Sequence, residues 1–593
     1  MAAGKSYRSR TRFLGLLMGV IAIIILVQLI RVQFGPFAPV FSAWTEAVSG
    51  QVEEIVSARG IIYDRDGHVL AMNRTMYYLE IELSQVTAES QKAIALVLSE
   101  MLGIPEQDLL DQLNTDWGAQ GLYRIRLTRP IEEEGRWPIM IDQMTADILN
   151  NFLQDRNAPD LGGLALDATS QRTYPSGELA GHLLGFVNQE GRGFFGIEGY
   201  YDNWLSGNSV TVEYALVPME AQLSPSPQAG VNLVLTIDME IQLAVEKILE
   251  SAVEGSRGDR GEIIVMDPAT GEILAMAAYP RLDPNNYEIW LLQEDADQVI
   301  TPAVAGNFEP GSTFKILTMA AALDSDSVEL SDIFIDTGEI IVGGEKIQNW
   351  NNEAWGPQTM LGCMQHSLNV CLAHVAANEL GTSLFYGYMN GFGIGQMTGI
   401  DLAGERTGEM RTHRHPLWTE VDIGTNSFGQ GISLTPVQLL SAVNAVANGG
   451  VLVQPHIVRQ IAGSQGSYWP KTTVLGKPIS ARTANEISEM LVETLEQEGR
   501  LAQVQGYRIA GKTGTAQIPT EYGYDQHQTI ASFIGWGPVD DPAFIIFVRV
   551  DKPRTSPWGS VIAAPIFQDV AERLVVLLDI PPDLESQTGT DGS

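Results

Sequence analysis

Glu309-Pro310-Gly311-Ser312-Thr313-Phe314-Lys315 holds the one Ser-x-x-Lys pair of the chain, and Lys512-Thr513-Gly514-Thr515 follows 200 positions later. Residues three apart on a helix share a face, so the Lys315 amine can reach the Ser312 hydroxyl. A serine hydroxyl is a weak nucleophile until a base takes its proton, and the pair therefore predicts acyl-enzyme chemistry. Ser312 is expected at a helix start, where free backbone N–H groups and the helix dipole favour a developing alkoxide. A lysine amine titrates near about 10.4 in water, so the role of base requires burial or a neighbouring cation such as Lys512. Glycine within a strand marks a place where another chain or a ligand approaches the backbone, or an edge-strand bulge, and Gly514 is open to both readings. Between these two motifs, 55 residues after Ser312, stands Ser367-Leu368-Asn369. Ser206-Gly207-Asn208 has the same form, and only the order of the motifs inside one domain selects the later copy.

The composition frames this chemistry. Of 593 residues, 72 are Asp or Glu and 36 are Lys or Arg, a formal charge of -36 that would repel a phosphate backbone and excludes a nucleic-acid partner. Lysine is scarce, with 9 residues against 27 arginines, yet two of the 9 fall inside these motifs. The length predicts two or three domains. Phe13 to Ile30 is an apolar run broken only by Gln28 and preceded by Lys5, Arg8, Arg10 and Arg12. That pattern predicts a cytoplasmic tail over 1–12 and a membrane helix over 13–31, with everything after it on the outer side of the cytoplasmic membrane. The two cysteines, Cys363 and Cys371, would lie about 12 Å apart on one continuous helix, beyond the reach of a disulfide, while a loop between them would leave the distance open; they are expected as buried thiols.

Arg59 to Ala71 reads as two short strands around an Asp-Gly turn, and helical patterning covers Ser90 to Leu102 and Thr145 to Asp155. These make 45–220 a mixed α+β domain, closed by the Pro- and Ser-rich linker Ala221 to Gly230. The second domain is expected over 230–578, with a helix over Ile237 to Ala252, strands over Glu262 to Met266 and Glu272 to Ala278, and late strands over Tyr507 to Ile518, Thr529 to Trp536 and Ala543 to Val550. Such short spacings suit an antiparallel sheet flanked by helices, in an α+β class overall. A closing helix over Ala564 to Leu578 precedes a polar tail, 581–593, that is expected to be disordered.

In these motifs, and in their order, the chain resembles a penicillin-binding protein, whose signature is Ser-x-x-Lys, Ser-Asp-Asn and Lys-Thr-Gly. Arg59 to Ala71, Tyr174 to Gly185, Gly196-Ile197-Glu198 and Tyr201-Asp202 are similar to the amino-terminal pedestal (dimerisation-type) domain of class B members. Thr236-Ile237-Asp238, Asp267 to Ala275 and Ser427-Phe428-Gly429-Gln430-Gly431 resemble their transpeptidase domain. Asn369 and the Tyr-Pro-Ser-Gly-Glu pattern look more like the division-type septal enzymes than the elongation type. The resemblance implies a peptidoglycan D,D-transpeptidase and target of β-lactams, with Ser312 as nucleophile, Lys315 as base and Ser367 as proton relay. It further implies that Asn369 holds the peptide amide and that Lys512, Thr513, Gly514 and Thr515 meet the terminal carboxylate of the stem peptide. Implied partners are a membrane glycan polymerase of the SEDS type and other divisome or elongation proteins. Leu368 departs from the polar central residue of the family form, and Cys371 stands where small residues are common.

Two other functions share these residues: a hydrolase, either a D,D-carboxypeptidase or a β-lactamase, in which water replaces the acceptor amine, and a non-catalytic wall scaffold or sensor. Serine–lysine acyl transfer needs no metal or other cofactor. His366, His374, His413 and His415 lack the companion ligands of a zinc site, and Asp525 with His527 reads as a solvated turn. Trp350, Trp355 and Trp418 are assigned to core or rim packing.

Overall fold

A computed structural model of the chain describes Met18 and residues 52–55, 57–115, 117, 122–131, 135–155, 158–213, 228–291, 301–464, 466–496, 500–520 and 523–583. Apart from Met18, the tail and membrane helix expected over 1–31 lie outside the described residues, as do 221–227 of the linker and 584–593 of the polar tail. Among the described residues no helix is long and apolar enough to cross a membrane. Backbone contacts divide the chain into two units, one of 1–58 with 207–230 and one of 59–206 with 231–593. In the first, Val52–Ile55 pairs antiparallel with Val210–Glu213.

The second unit begins with the predicted hairpin. Ile62–Tyr63 (β1) and Val69–Glu82 (β2) pair around the Asp66-Gly67 turn, where Gly67 takes a φ of 93° that only glycine adopts freely. β2 is not short: it runs on for 14 residues and pairs from Met72 to Ile81 with Leu164–Thr173 (β3). No local signal announces that partner, because it lies some ninety residues away along the chain. Helices Ala88–Leu102 (α1) and Gln143–Gln154 (α2) add Ile94, Leu98 and Leu149 to a core shared with Leu79 and Ile81 of β2. Thr87 caps α1 by accepting from the Ser90 N–H, and Asp142 caps α2 by accepting from the Thr145 N–H. Asn232–Leu235 (β4) then lies parallel beside β1.

From Met239–Ser256 (α3), capped by Asp238, the chain builds a five-stranded antiparallel sheet from Arg260–Met266 (β5), Ile273–Tyr279 (β6), Ala510–Thr520 (β7), Gly523–Gly537 (β8) and Phe544–Asp551 (β9), in the spatial order β6-β5-β9-β8-β7. Side chains alternate across a strand, and both faces here are buried. Ile263, Val265, Ile546 and Val548 pack against α3 and Gly559–Leu577 (α6), while Ile264, Met266, Ile545 and Phe547 share a core with Lys315–Asp324 (α4) and Pro436–Ala447 (α5). Full burial of each such side chain stabilises by about 1.5–3 kcal/mol, so two apolar faces hold the sheet between helices. β7 ends the spatial order and presents its outer edge to the segment that carries Ser312.

Glu262 interrupts the apolar run of β5. It is 3% exposed and sits opposite Arg549 of β9, which pairs through both guanidinium arms with Asp551, at 2.7 and 2.9 Å. Burial pushes the Glu262 carboxyl up to about 8, against the pull of Arg549 and with the push of Asp551. The unfolded group titrates near about 4.3, so between that value and about 8 the folded chain binds the extra proton and stability falls as pH rises. Urea unfolding should therefore show wild-type stability declining from pH 5 to pH 8. Glu262→Gln should flatten that decline and be the more stable protein at pH 8; an unchanged slope would show that Glu262 carries no such proton.

Candidate active site

Ser312 lies on a 3-10 turn, Gly311–Phe314, that runs directly into α4, so the nucleophile stands one turn before the α-helix proper. Gly311 holds a φ of 58°, and a side chain there would press on Thr515 O at 3.2 Å. Its N–H donates to Gly429 O at 3.1 Å, and a Cβ on Gly429 would stand 2.3 Å from Gly311 O. Backbone therefore meets backbone on both sides of the serine turn, which only glycine permits. Thr313 Oγ1 closes the turn by donating to Pro310 O at 2.8 Å.

Lys315 is 0% exposed, and its amine donates to Ser367 O at 2.6 Å, Asn369 Oδ1 at 2.8 Å and Ser367 Oγ at 3.2 Å. The helix that starts beside Ser312 is thus bonded to the Ser367-Leu368-Asn369 loop, and the Ser206-to-Asn208 copy takes no part in these bonds. Ser367 separates two short helices, Met360–Gln365 and Asn369–His374, and has a φ of 51°, a left-handed conformation that costs a residue with a Cβ about 1–2 kcal/mol. That break corrects the expected pair of thiols. The chain folds back at Ser367, the Cα atoms of Cys363 and Cys371 come to 6.1 Å, and the two form a disulfide across the motif. The 12 Å separation holds only for an unbroken helix, and a serine gives no sequence sign that it will turn left-handed.

Lys512, Thr513, Gly514 and Thr515 lie on β7, paired with β8 through Lys512↔Ile534 and Gly514↔Ser532. Lys512 and Gly514 share one buried face by the two-residue period, and Thr513 and Thr515 are half-buried on the other. A Cβ on Gly514 would meet Ser532 Oγ at 2.3 Å and Thr313 Cγ2 at 2.9 Å, so the missing side chain is what lets the strand lie against the serine turn. The Lys512 amine stands 3.5 Å from Thr513 Oγ1, and Thr515 Oγ1 accepts from the Gly559 N–H at 3.0 Å.

Several neighbours of this site carry no obvious sequence signal. Glu309 Oε1 accepts from Gly431 N–H and from Tyr524 O–H, both at 3.1 Å, tying the end of the β7–β8 hairpin to the segment before Ser312. Burial raises its carboxyl, opposed by those two hydrogen bonds. Trp350 donates to His366 O at 3.3 Å and its ring stands 5.3 Å from that of Trp558, which directly precedes Gly559. That ring pair links the Ser367 side of the site to the Thr515 side. Trp355 stacks on His366 at 4.0 Å, and Trp418 donates to Tyr386 Oη at 2.7 Å, as packing residues do. His374 pairs with Glu379 at 3.0 Å, the His415 ring accepts from the Leu417 N–H at 3.2 Å, and the His413 ring stands 6.0 Å from Tyr386. Among the described residues no three His, Cys, Asp or Glu side chains are placed to hold a metal. The side chain of His527 lies outside the described residues.

Comparison with known proteins identifies two domains. Residues 261–572 match the penicillin binding protein transpeptidase domain, and residues 54–235 match the penicillin-binding protein dimerisation domain. The chain is 33% identical over 545 residues to Stage V sporulation protein D of Bacillus subtilis strain 168, covering 88% of this chain and 79% of that one. It is 28% identical over 550 residues to the peptidoglycan D,D-transpeptidase FtsI of Escherichia coli K12, covering 90% and 86%. The crystal structure of penicillin binding protein 2X from Streptococcus thermophilus superposes with a TM-score of 0.73 at 25% identity, over 89% of this chain and 80% of that one.

The disulfide holds Ser367 in an unfavourable conformation within a loop of nine residues, a closure worth roughly 2–3 kcal/mol. Reduction, or Cys363→Ala with Cys371→Ala, should lower the melting temperature and speed amide exchange at 366–369 ahead of the five-stranded sheet. Equal exchange in the oxidised and reduced forms would contradict this. Gly429→Ala should destabilise by more than about 1 kcal/mol, because its methyl group has backbone rather than a movable side chain in its way; a denaturation curve matching wild type would refute it.

Proposed function

The chain belongs to the penicillin-binding proteins, with a transpeptidase domain preceded by a dimerisation domain, and on that membership we propose that it is a peptidoglycan D,D-transpeptidase acting through an acyl-enzyme on Ser312. The observation that carries the reading is the buried Lys315 amine, one helical turn from Ser312 and hydrogen-bonded to both Ser367 and Asn369. As the neutral amine, Lys315 donates its two N–H groups to Ser367 O and Asn369 Oδ1 and turns its lone pair to the Ser312 hydroxyl. Ser312 Oγ attacks the penultimate D-alanine carbonyl of a stem peptide while its proton passes to Lys315. The C–N bond then breaks, the proton reaches the leaving D-alanine amine through Ser367 Oγ, and the ester remains. An amine of a second stem attacks that ester, gives up a proton along the same route and restores the serine.

The outer edge of β7 suits a stem peptide laid down as an added strand, main chain to main chain. Lys512, Thr513 and Thr515 supply the cation and hydroxyls for its terminal carboxylate. Backbone N–H groups of Ser312 and Thr515, on the two elements that Gly311 and Gly514 let approach, take the oxyanion. Each such donor is worth about 100- to 1000-fold in rate. β-Lactams enter the same site and leave a covalent ester on Ser312.

The setting follows from the amino-terminal sequence. Phe13 to Ile30 forms a single membrane helix with Lys5, Arg8, Arg10 and Arg12 inside, and the catalytic unit works on the outer side of the cytoplasmic membrane. The partner there is a membrane glycan polymerase of the SEDS type, together with other divisome or elongation proteins, and the similarity to FtsI favours septal wall synthesis. A fluorescent penicillin should label the full-length chain, Ser312→Ala should take no label, and Lys315→Ala should slow labelling by about 100- to 10,000-fold. Label that persists on Ser312→Ala would overturn the assignment, and rapid release of the label would favour a hydrolase.

A further inference from the structure

None of the motif residues lines a cavity of the second unit that opens beside Tyr200 and His456. This cavity, about 180 Å³, is bounded by Tyr200, Tyr201, His456, Pro470, Lys471 and Thr473. A dry cavity of about 150 Å³ is enough to hold benzene, so this one admits a single six-membered ring. Its walls have two chemistries. The rings of Tyr200 and Tyr201 stand 4.9 Å apart, edge to face, with Tyr200 51% exposed. Tyr468 and Trp469, just before Pro470 in the chain, are 62% and 59% exposed. Tyr200, Tyr468 and Trp469 are exposed aromatic surface, while Tyr201 is partly buried against the core and backs the cavity wall.

The polar groups are unbalanced toward donors. Asp401 is already satisfied: it accepts from Ile457 N–H at 2.6 Å, Val458 N–H at 2.9 Å and Tyr201 O–H at 2.9 Å. The side chains of His456 and Lys471 and the hydroxyl of Tyr200 make no hydrogen bond or ion pair among the described residues. One cation beside a satisfied carboxylate does not suit a phosphate, and the donors do not suit an apolar peptide side chain. A pyranose ring fits both halves: its C–H face lies on an aromatic ring, and its acetamido and ring oxygens take the donors.

We propose that this cavity binds the amino-sugar strand of the wall polymer, at a place separate from the peptide cleft. The inference rests on the reading of the chain as a wall-crosslinking enzyme, since the polymer that bears the stem peptides has such sugars as its backbone. Holding the strand while the cleft holds a stem makes the second contact intramolecular and raises its effective concentration.

The test uses the full-length chain in detergent and labelled glycan strands stripped of stem peptides by an amidase, with fluorescence anisotropy as the readout. Tyr200→Ala and Lys471→Ala alter exposed side chains, so both should take fluorescent penicillin on Ser312 at the wild-type rate. Wild type should bind the stripped strands, and each variant should bind them about tenfold more weakly. Strands that fail to bind a wild type still labelled by penicillin, or that bind both variants as tightly as wild type, would overturn the sugar site. Strand binding lost in the variants of a chain that takes no penicillin would uphold the site and overturn the transpeptidase reading instead.

Discussion

A lysine amine fully removed from solvent needs hydrogen-bond partners, and the three acceptors around Lys315 come from one loop: Ser367 O, Ser367 Oγ and Asn369 Oδ1. That constraint organises the site. It fixes α4 against the break between Met360–Gln365 and Asn369–His374, and the break in turn requires Ser367 to be left-handed. The Cys363–Cys371 bond closes the same loop from behind. Remove the loop and the buried amine loses these three acceptors, which costs far more than any single contact returns.

On the opposite side of Ser312, contact is made by absence of side chains. Gly311, Gly429, Gly514 and Gly559 each stand where a Cβ would strike a backbone oxygen or a buried hydroxyl or methyl group within about 3.3 Å. Through them the serine turn, the Ser427-to-Gly431 loop, β7 and the start of α6 approach one another as bare main chain. Close main-chain approach of this kind is what stabilisation of an oxyanion by N–H groups of separate elements requires. The apolar sheet faces make it rigid, because β5 and β9 are packed on both sides and cannot shift to relieve strain elsewhere.

Much of this was legible beforehand. The helices from Ala88 and Met239 and the strands β5, β6, β7 and β9 have boundaries near those read from periodicity and turn residues, since local pattern and burial agree there, whereas β8 begins six residues before the expected Thr529. The 14-residue length of β2 was not legible, because its continuation beyond Ala71 depends on a partner distant in sequence. The disulfide of the two cysteines was not legible for a related reason: spacing gives their separation on a regular helix, and the helix is interrupted at Ser367, whose φ is 51°. Glu309 stood in the quoted motif without a role until Tyr524, 215 positions on, was seen to donate to it.

The sequence by itself determined which chemistry is present: Ser312 with Lys315, Ser367 with Asn369, and Lys512 to Thr515, in that order, inside a chain patterned as α+β. Residue type and local spacing suffice for that, because nucleophile, base and strand glycine are properties of a few neighbouring positions. Only the tertiary structure decided that these motifs meet, that Cys363 and Cys371 join behind them, and that a sugar-sized cavity opens between Tyr200 and Lys471. Those outcomes depend on side chains tens to hundreds of positions apart competing for the same buried space, and the geometry that settles the competition exists only in the folded chain.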